Sequence, residues 1–501
     1  MRKITKDKYK IEFVDRVLDP VHGFIDLTKV EQEIVQLPIF KRMQSLKQLS
    51  LANWVFPGAE HTRYIHSLGV MHIADLMAIN LRDVDNKPVY NDGDRQLIRL
   101  AGLLHDIGHY PLSHVTEGVY TNNNLLTKDA SLLSHNTHVK KKIDGISESN
   151  GSRIEYMKAR YTKPMHHETL GASVIQSDDQ ILGIINHYCP FIDVKDIQDI
   201  IVGCVDRNPN ISAMVQLIHS EVDADGIDYI MRDSSFSGTS YGGFELGLLL
   251  RNLRVDKYNG IDIVGVRPKG ISVVDQYLIS KYFSYTQVIF NKHVSILGVM
   301  AEMLTHALVR LDASTYPTAE SLQKYIDLHS KGNDTFLKFT DRTFWAQLDL
   351  IDAQKQLKGI VPDHVLKIFE CLSEYRELPS SENRETVVTS SDISSVSETL
   401  KQTEIYKDLV DEKEDKLVLF HERGFTAQIP QEMFKDKLIG LNGKEIEDDE
   451  FKRSNTARLQ EGVAIISKGE EVKLLVDDDR SMMSHLYNTK TYILREYDVN
   501  K

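Results

Sequence analysis

Apolar positions recur at helical spacing over most of the first 310 residues. Between Ser67 and Asn80, Leu68, Met71, Ile73, Leu76, Met77 and Ile79 mark one helix face. Leu97, Leu100, Ala101, Leu104 and Ile107 mark a second, which opens near Asp94. Further helical stretches are predicted over 166–186, 212–233 and 272–312. One interruption stands out. Ile261-Asp262-Ile263-Val264 and Ile271-Ser272-Val273-Val274 flank Arg267-Pro268-Lys269-Gly270, which predicts a β-hairpin.

Two segments depart from this texture. Residues 119–164 are polar, with Asn122-Asn123-Asn124 and Lys140-Lys141-Lys142, and predict an inserted, partly mobile lobe. Residues 379–399 are rich in Ser, Thr and Glu, a composition that predicts a linker or exposed loop. Beyond it, strands are predicted at 416–420, 463–466 and 472–476, the last two joined at Lys468-Gly469-Glu470. The fold class expected is mainly α. A helical core occupies 1–310, a helical extension 311–410, and a small α+β appendage 411–501.

Length and charge narrow the function classes. A chain of 501 residues is expected to hold two or three domains. Its 60 Lys+Arg against 73 Asp+Glu give a net charge of −13, which disfavours broad nucleic-acid binding. Lys140-Lys141-Lys142 then reads as a solvated charge run. No apolar run approaches the ~20 residues that span a bilayer. The start, Met1-Arg2-Lys3-Ile4, lacks a secretory apolar stretch. Cys189, Cys204 and Cys371 are scattered, so neither a disulfide framework nor a zinc ribbon is expected. The expected setting is cytoplasmic, with no membrane partner.

The candidate chemistry sits in Ala101-Gly102-Leu103-Leu104-His105-Asp106-Ile107-Gly108-His109. An adjacent His-Asp pair on an amphipathic helix offers an imidazole nitrogen and a carboxylate oxygen to one divalent cation. His109, one helical turn after His105, is expected on the same face. Other pieces reinforce the pair: His61-Thr62-Arg63-Tyr64-Ile65-His66, His166-His167-Glu168, and Asp223-Ala224-Asp225-Gly226-Ile227-Asp228-Tyr229 with Arg232-Asp233. Nineteen histidines, several of them clustered, suit a site that combines metal binding with proton transfer.

These pieces, in this order over roughly residues 15–310, resemble the HD-domain phosphohydrolases, and within them the deoxynucleoside triphosphate triphosphohydrolases. The matching motifs include Asp19-Pro20-Val21-His22-Gly23, Val55-Phe56-Pro57-Gly58-Ala59 and His105-Asp106-Ile107-Gly108-His109-x-Pro111-x-Ser113-His114. The resemblance implies one divalent metal ion per site (Mn, Fe, Ni, Zn or Mg), held by His66, His105, Asp106 and Asp225. Asp223 and Asp228 are the competing carboxylates, with a helix-capping or ion-pairing role favoured for Asp228. It implies that His109, His114 and His167 serve the α-phosphate and proton transfer, His109 first among them, and that Glu168 orients His167. Arg63, Lys281 and Lys292 would meet the triphosphate, and Tyr229 would pack on the sugar. Gln48 and Asp233 would bind the 3′-hydroxyl, with Leu49 against base or sugar.

The implied reaction converts a dNTP and water into deoxynucleoside and inorganic triphosphate, with dGTP as a favoured substrate. Assembly as a dimer or tetramer with a nucleotide effector is implied too, while the insert and C-terminal part, outside the resemblance, are what motivate a role in dNTP pool balance or phage defence. Two departures stand against a full match. Gly226 occupies the position where relatives carry Lys or Arg. Gln36 and Gln44 stand where the vertebrate member reads its activating guanine nucleotide. The alternatives are another HD phosphohydrolase (a cyclic-nucleotide phosphodiesterase or 5′-nucleotidase) and a non-catalytic nucleotide sensor.

Overall fold

The computed structural model describes residues 5–121, 132–147, 165–311, 316–329, 332, 334–350, 384–413, 416–435 and 448–498. The chain is mainly α, with nine strands in three small sheets among the described residues. The strands are β1 (Phe13–Asp19), β2 (Gly23–Thr28), β3 (Leu253–Tyr258), β4 (Ile261–Val266), β5 (Arg384–Ser390), β6 (Lys416–Gly424), β7 (Ala464–Ile465), β8 (Lys473–Leu474) and β9 (Lys490–Asp498). The helices that position the site or its supports are α1 (Arg63–Asn80), α2 (Asp92–Leu104), α3 (His114–Thr121), α4 (Leu132–Asp144) and α5 (His167–Ser177). They continue with α6 (Ala224–Ser237), α7 (Ile271–Ser284), α8 (Lys292–Leu311), α9 (Asp341–Leu350), α10 (Ile393–Lys401) and α11 (Glu404–Val410).

The central packing is α1 on α2, with α6 crossing α1. Asn91 and Asp94 start α2 through a reciprocal capping box, each side chain accepting from the other's backbone N–H. The helix stops at Leu104. His105 and Asp106 therefore sit in the turn that follows, closed by Ile107 N–H to Leu104 O and His109 N–H to Asp106 O. His109 is not on the helix, so the expected shared face with His105 does not exist. At the α1–α6 crossing Gly69 is required by contact. A Cβ there would stand 1.9 Å from Asp228 Oδ1 and 2.4 Å from Arg232 Nη2.

Three expectations need correction. The hairpin exists, but Ile261–Val266 pairs with Leu253–Tyr258, and Ile271 opens α7. Asn259 and Gly260 turn the chain with φ of 50° and 79°, the left-handed pair that a tight hairpin demands. Pro268 lies in a turn of 3₁₀ helix leading into α7, where its fixed φ and missing N–H are compatible with a helix start. The stretches 166–186, 212–233 and 272–312 each divide in two, at Asp178, at 219–223 and at 285–291.

Within 379–399, residues 384–390 form strand β5 and 393–399 lie in α10; 379–383 lie outside the described residues. Thr386, Val387, Val388 and Thr389 are β-branched and fit a half-exposed edge strand beside β9. Asp392 then caps α10, accepting from Ser394 N–H. The C-terminal segment also joins the core sheet. Its β7 pairs in parallel with β4 of the core, in the order β3-β4-β7-β8.

From the insert, 122–131 and 148–164 lie outside the described residues, and Leu132–Asp144 form α4. Its Val139 and Ile143 share a small apolar core with Val396, Leu400, Leu409, Val418 and Leu494. Insert and C-terminal residues thus build one unit, with β5-β9-β6 as its sheet. Among the described residues no single helix is long and apolar enough to cross a membrane.

Candidate active site

His66 projects from α1, His105 and Asp106 from the turn after α2, and Asp225 from the first turn of α6. Their ligand atoms converge. His66 Nε2 lies 3.0 Å from Asp225 Oδ1 and 3.7 Å from Asp106 Oδ2, and His105 Nε2 lies 3.5 Å from Asp106 Oδ1 and 3.8 Å from Asp225 Oδ1. Ligands each about 2.1 Å from one ion stand roughly 3–3.5 Å apart, so the buried His66, His105 and Asp106 suit a single divalent cation, with Asp225 beside both imidazoles. Two further observations support the fit. The Nε2 atoms of His66 and His105 are buried and make no hydrogen bond. Their Nδ1 atoms are both committed: His66 Nδ1 donates to Asp228 Oδ2 at 2.7 Å, and His105 Nδ1 donates to the Gly102 carbonyl at 2.8 Å. Each neutral ring must then present an unprotonated Nε2 to the site.

Charge at this cluster is strongly biased. Burial would raise the Asp106 pKa, but Arg63 and the imidazoles of His105 and His66 outweigh it and hold the carboxyl well below the usual range. Asp225 is likewise brought down to about 2 by His66 against its burial. Asp225 is 40% exposed whereas His66 and Asp106 are 2% or less, so the site opens on the α6 side. The two competing carboxylates are occupied elsewhere. Asp223 caps α6, accepting from Gly226 and Ser220 N–H. Asp228 is fully buried between His22, His66 and Arg232, with Arg232 also bonded to Asp19. Asp228 makes the expected ion pair and also holds His66 from behind.

A second cluster adjoins the first. The ring of His109 stacks 4.4 Å from that of His167 and meets His114 edge-on at 4.7 Å. The carboxylate that orients them is Glu117, not Glu168. Glu117 accepts from His167 Nδ1 at 2.8 Å and His114 Nδ1 at 3.0 Å, whereas Glu168 lies beside His166 and His219. Glu117 is three residues after His114 on α3, so helical spacing was the available signal. His109 differs from both. Its Nδ1 accepts the Tyr110 N–H at 3.1 Å, which places the neutral ring's proton on the buried, unpartnered Nε2. Burial and Arg63 push its pKa well down, so the ring is neutral.

The remaining expected residues are placed unevenly. Arg63 is buried and donates to Asp106 Oδ2 at 2.7 Å and Ser113 Oγ at 2.9 Å, buttressing a metal-site carboxylate. Asp233 pairs with His61 at 2.8 Å. Gln48 keeps a buried, unpartnered Oε1, and Leu49 packs half-buried on the core. Tyr229 is half-buried one turn along α6 from Asp225. Lys281 Nζ reaches the Glu221 carbonyl at 3.2 Å, while Lys292 is exposed at the start of α8. Sequence reasoning missed Asp341. It is buried on α9 and accepts from Lys47 N–H at 2.9 Å and Leu112 N–H at 2.7 Å, pinning the loops before Gln48 and His114.

Residues 63–196, which hold three of the four converging ligands and all three stacked histidines, match the family model of the HD domain. The chain carries an HD domain. Relatives of the chain include the uncharacterized protein YwfO of Bacillus subtilis, 27% identical over 60% of this chain and 57% of that one. They also include the deoxynucleoside triphosphate triphosphohydrolase SAMHD1 of Homo sapiens, 24% identical over 68% of this chain and 53% of that one. The chain spans about half the length of the curated relatives it matches. Two solved structures share the fold. A hypothetical protein from Aquifex aeolicus has a TM-score of 0.62 at 22% identity, covering 97% of this chain and 96% of its own. A phosphohydrolase from Bacteroides thetaiotaomicron has a TM-score of 0.57 at 18% identity, covering 97% and 99%.

Proposed function

We propose that this protein is a divalent-metal-dependent hydrolase of deoxynucleoside triphosphates, releasing deoxynucleoside and inorganic triphosphate. The observation that carries the reading is the pair of adjoining clusters: one offers bare imidazole nitrogens and carboxylates, the other imidazoles held by Glu117. The relatives named as deoxynucleoside triphosphate triphosphohydrolases supply the substrate class. A bound divalent ion supplies Lewis acidity at phosphorus and an acidified water.

The chain's own residues do the rest. His66, His105, Asp106 and Asp225 hold the ion, with Arg63 and Asp228 fixing Asp106 and His66 from behind. His109, neutral and protonated on Nε2, donates a hydrogen bond to an α-phosphate oxygen. A neutral imidazole is a poor acid, so the leaving 5′-oxygen takes its proton from His114, whose Nδ1 is held by the Glu117 carboxylate. The side chain of His114 is 63% exposed and can reach an entering ligand. His167, on the same carboxylate, orients the α-phosphate. Tyr229 packs on the sugar, and Gln48 Oε1 accepts from the 3′-hydroxyl.

The test is a product assay. Full-length protein is incubated with Mn²⁺ or Mg²⁺ and each dNTP, alone and in pairs, and products are separated chromatographically. Deoxynucleoside with inorganic triphosphate is the expected result, and stimulation in pairs would reveal a nucleotide effector. Monophosphate with pyrophosphate overturns the reading.

A further inference from the structure

Gly226 follows the metal-site residue Asp225 directly and carries no side chain to meet a phosphate. The fold explains the glycine. A Cβ at this position would stand 2.2 Å from the hydroxyl oxygen of Tyr277, a fully buried side chain whose hydroxyl has no hydrogen-bond partner. Tyr277, Lys281 and Tyr285 recur every four residues along and just beyond α7, the helix packed against α6. The space where a side chain at 226 would lie is therefore taken by an aromatic ring, and any cation must come from elsewhere.

Two cations border this wall. Lys281 lies 5.9 Å from the Tyr277 ring and donates a hydrogen bond to the Glu221 backbone carbonyl. The second comes from the C-terminal unit. Arg423, at the end of β6, holds its guanidinium carbon 3.6 Å from the centroid of the Tyr285 ring, and its charge reaches Tyr229. Its Nε is buried without a hydrogen-bond partner, and among the described residues Arg423 has no carboxylate partner. The strand end is anchored where the site begins. Thr426 Oγ1 and Ala427 N–H both donate to Glu221 Oε1, at 2.7 and 3.0 Å, two residues before Asp223, while Phe425 stacks on Tyr282 at 4.2 Å.

A guanidinium held on a ring face with a buried, unsatisfied Nε keeps an unmet affinity for an anion. We propose that Arg423 is a phosphate-binding residue of this site. With Lys281, it grips the outer phosphates of a polyphosphate substrate and replaces the cation missing at Gly226. The C-terminal strand is then part of the active-site wall, and a chain truncated before β6 loses polyphosphate affinity. The inference rests on the reading of the site as a nucleotide polyphosphate hydrolase, and its test is separable from that reading.

The probe is inorganic tripolyphosphate, titrated calorimetrically into the full-length, Mn²⁺-loaded protein. Wild type should bind it, and Arg423→Gln should bind at least tenfold more weakly, with deoxynucleoside affinity unchanged. Arg423→Lys keeps the stem and one charge but loses the planar fork, and should lose about threefold. It carries the test alone if the Gln variant melts early. Equal tripolyphosphate affinity in wild type and variant, or no binding by wild type, overturns the inference. Failure to hydrolyse dNTPs, with the Arg423-dependent affinity intact, overturns only the substrate reading.

Discussion

Two groups of histidines, all buried except His114, lie side by side in this protein and are held in different ways. In the His66–His105 group each Nδ1 donates backwards, to a carboxylate and to a carbonyl, so both Nε2 lone pairs face inwards beside Asp106 and Asp225. In the His109–His114–His167 group, one ring receives an N–H on Nδ1 and the other two share Glu117. On the proposed function, the first arrangement takes a cation and the second gives a proton. The same residue type serves both because the partner behind each ring, not the ring itself, decides which nitrogen carries hydrogen.

The strongest way to break the comparison is His105→Ala. It should abolish turnover, by at least 10³-fold, and remove bound metal by elemental analysis while the far-ultraviolet dichroism stays native. Metal retained at wild-type stoichiometry would show that the first group is not the cation site.

Next comes Glu117→Gln, which removes the charge behind His114 and His167 and leaves the first group untouched. The expected result is a fall in kcat of roughly 10²–10³-fold with metal content unchanged. Loss of metal along with activity would merge the two groups into one site.

Asp228→Asn sharpens the claim that partners set roles. Holding His66 less firmly should weaken metal affinity by about 10–100-fold in a competition titration. Weakening one of the two carboxylate contacts of buried Arg232, which keeps Asp19, should also cost about 1.5–3 kcal/mol in denaturant unfolding. Unchanged affinity would make Asp228 purely structural.

The smallest expected effect lies outside both groups and serves as their control. Burial raises the Glu302 carboxyl on α8 to about 7, with Lys142 of the insert opposing. The folded state keeps this proton to higher pH than the unfolded chain does. Stability therefore falls as pH rises from the unfolded value through about 7. Glu302→Gln should remove that slope and raise Tm at pH 8.5 by about 1–3 °C, with no gain at pH 4.5 and no change in metal content. A variant with the wild-type pH slope would refute the assignment.

How much was legible beforehand varies by element. The ordered motifs were enough to name the residues that converge on the first cluster, because His66, His105, Asp106 and Asp225 lie within short, distinctive stretches. Helical periodicity located α1 and α2 but ran past Leu104. An apolar Ile107 continues the pattern whether or not the backbone does, so the end of α2 was invisible. The partnership of Glu117 with two histidines followed local spacing for His114 but not for His167, 50 residues away. Strand β5 hid in a Ser- and Thr-rich stretch because only its pairing with β9, more than 100 residues later, makes that composition a strand.

The sequence by itself determined which chemical groups are present and that they fall into HD-domain order, since motif spacing is a property of the chain. The tertiary structure alone decided the tautomers, the pairing of Glu117 with His167, and the entry of Arg423 beside Tyr285. Each of these depends on what a side chain faces across the fold. Partners separated by 50 to 200 residues meet only after the core has formed, and hydrogen-bond direction is set by those partners.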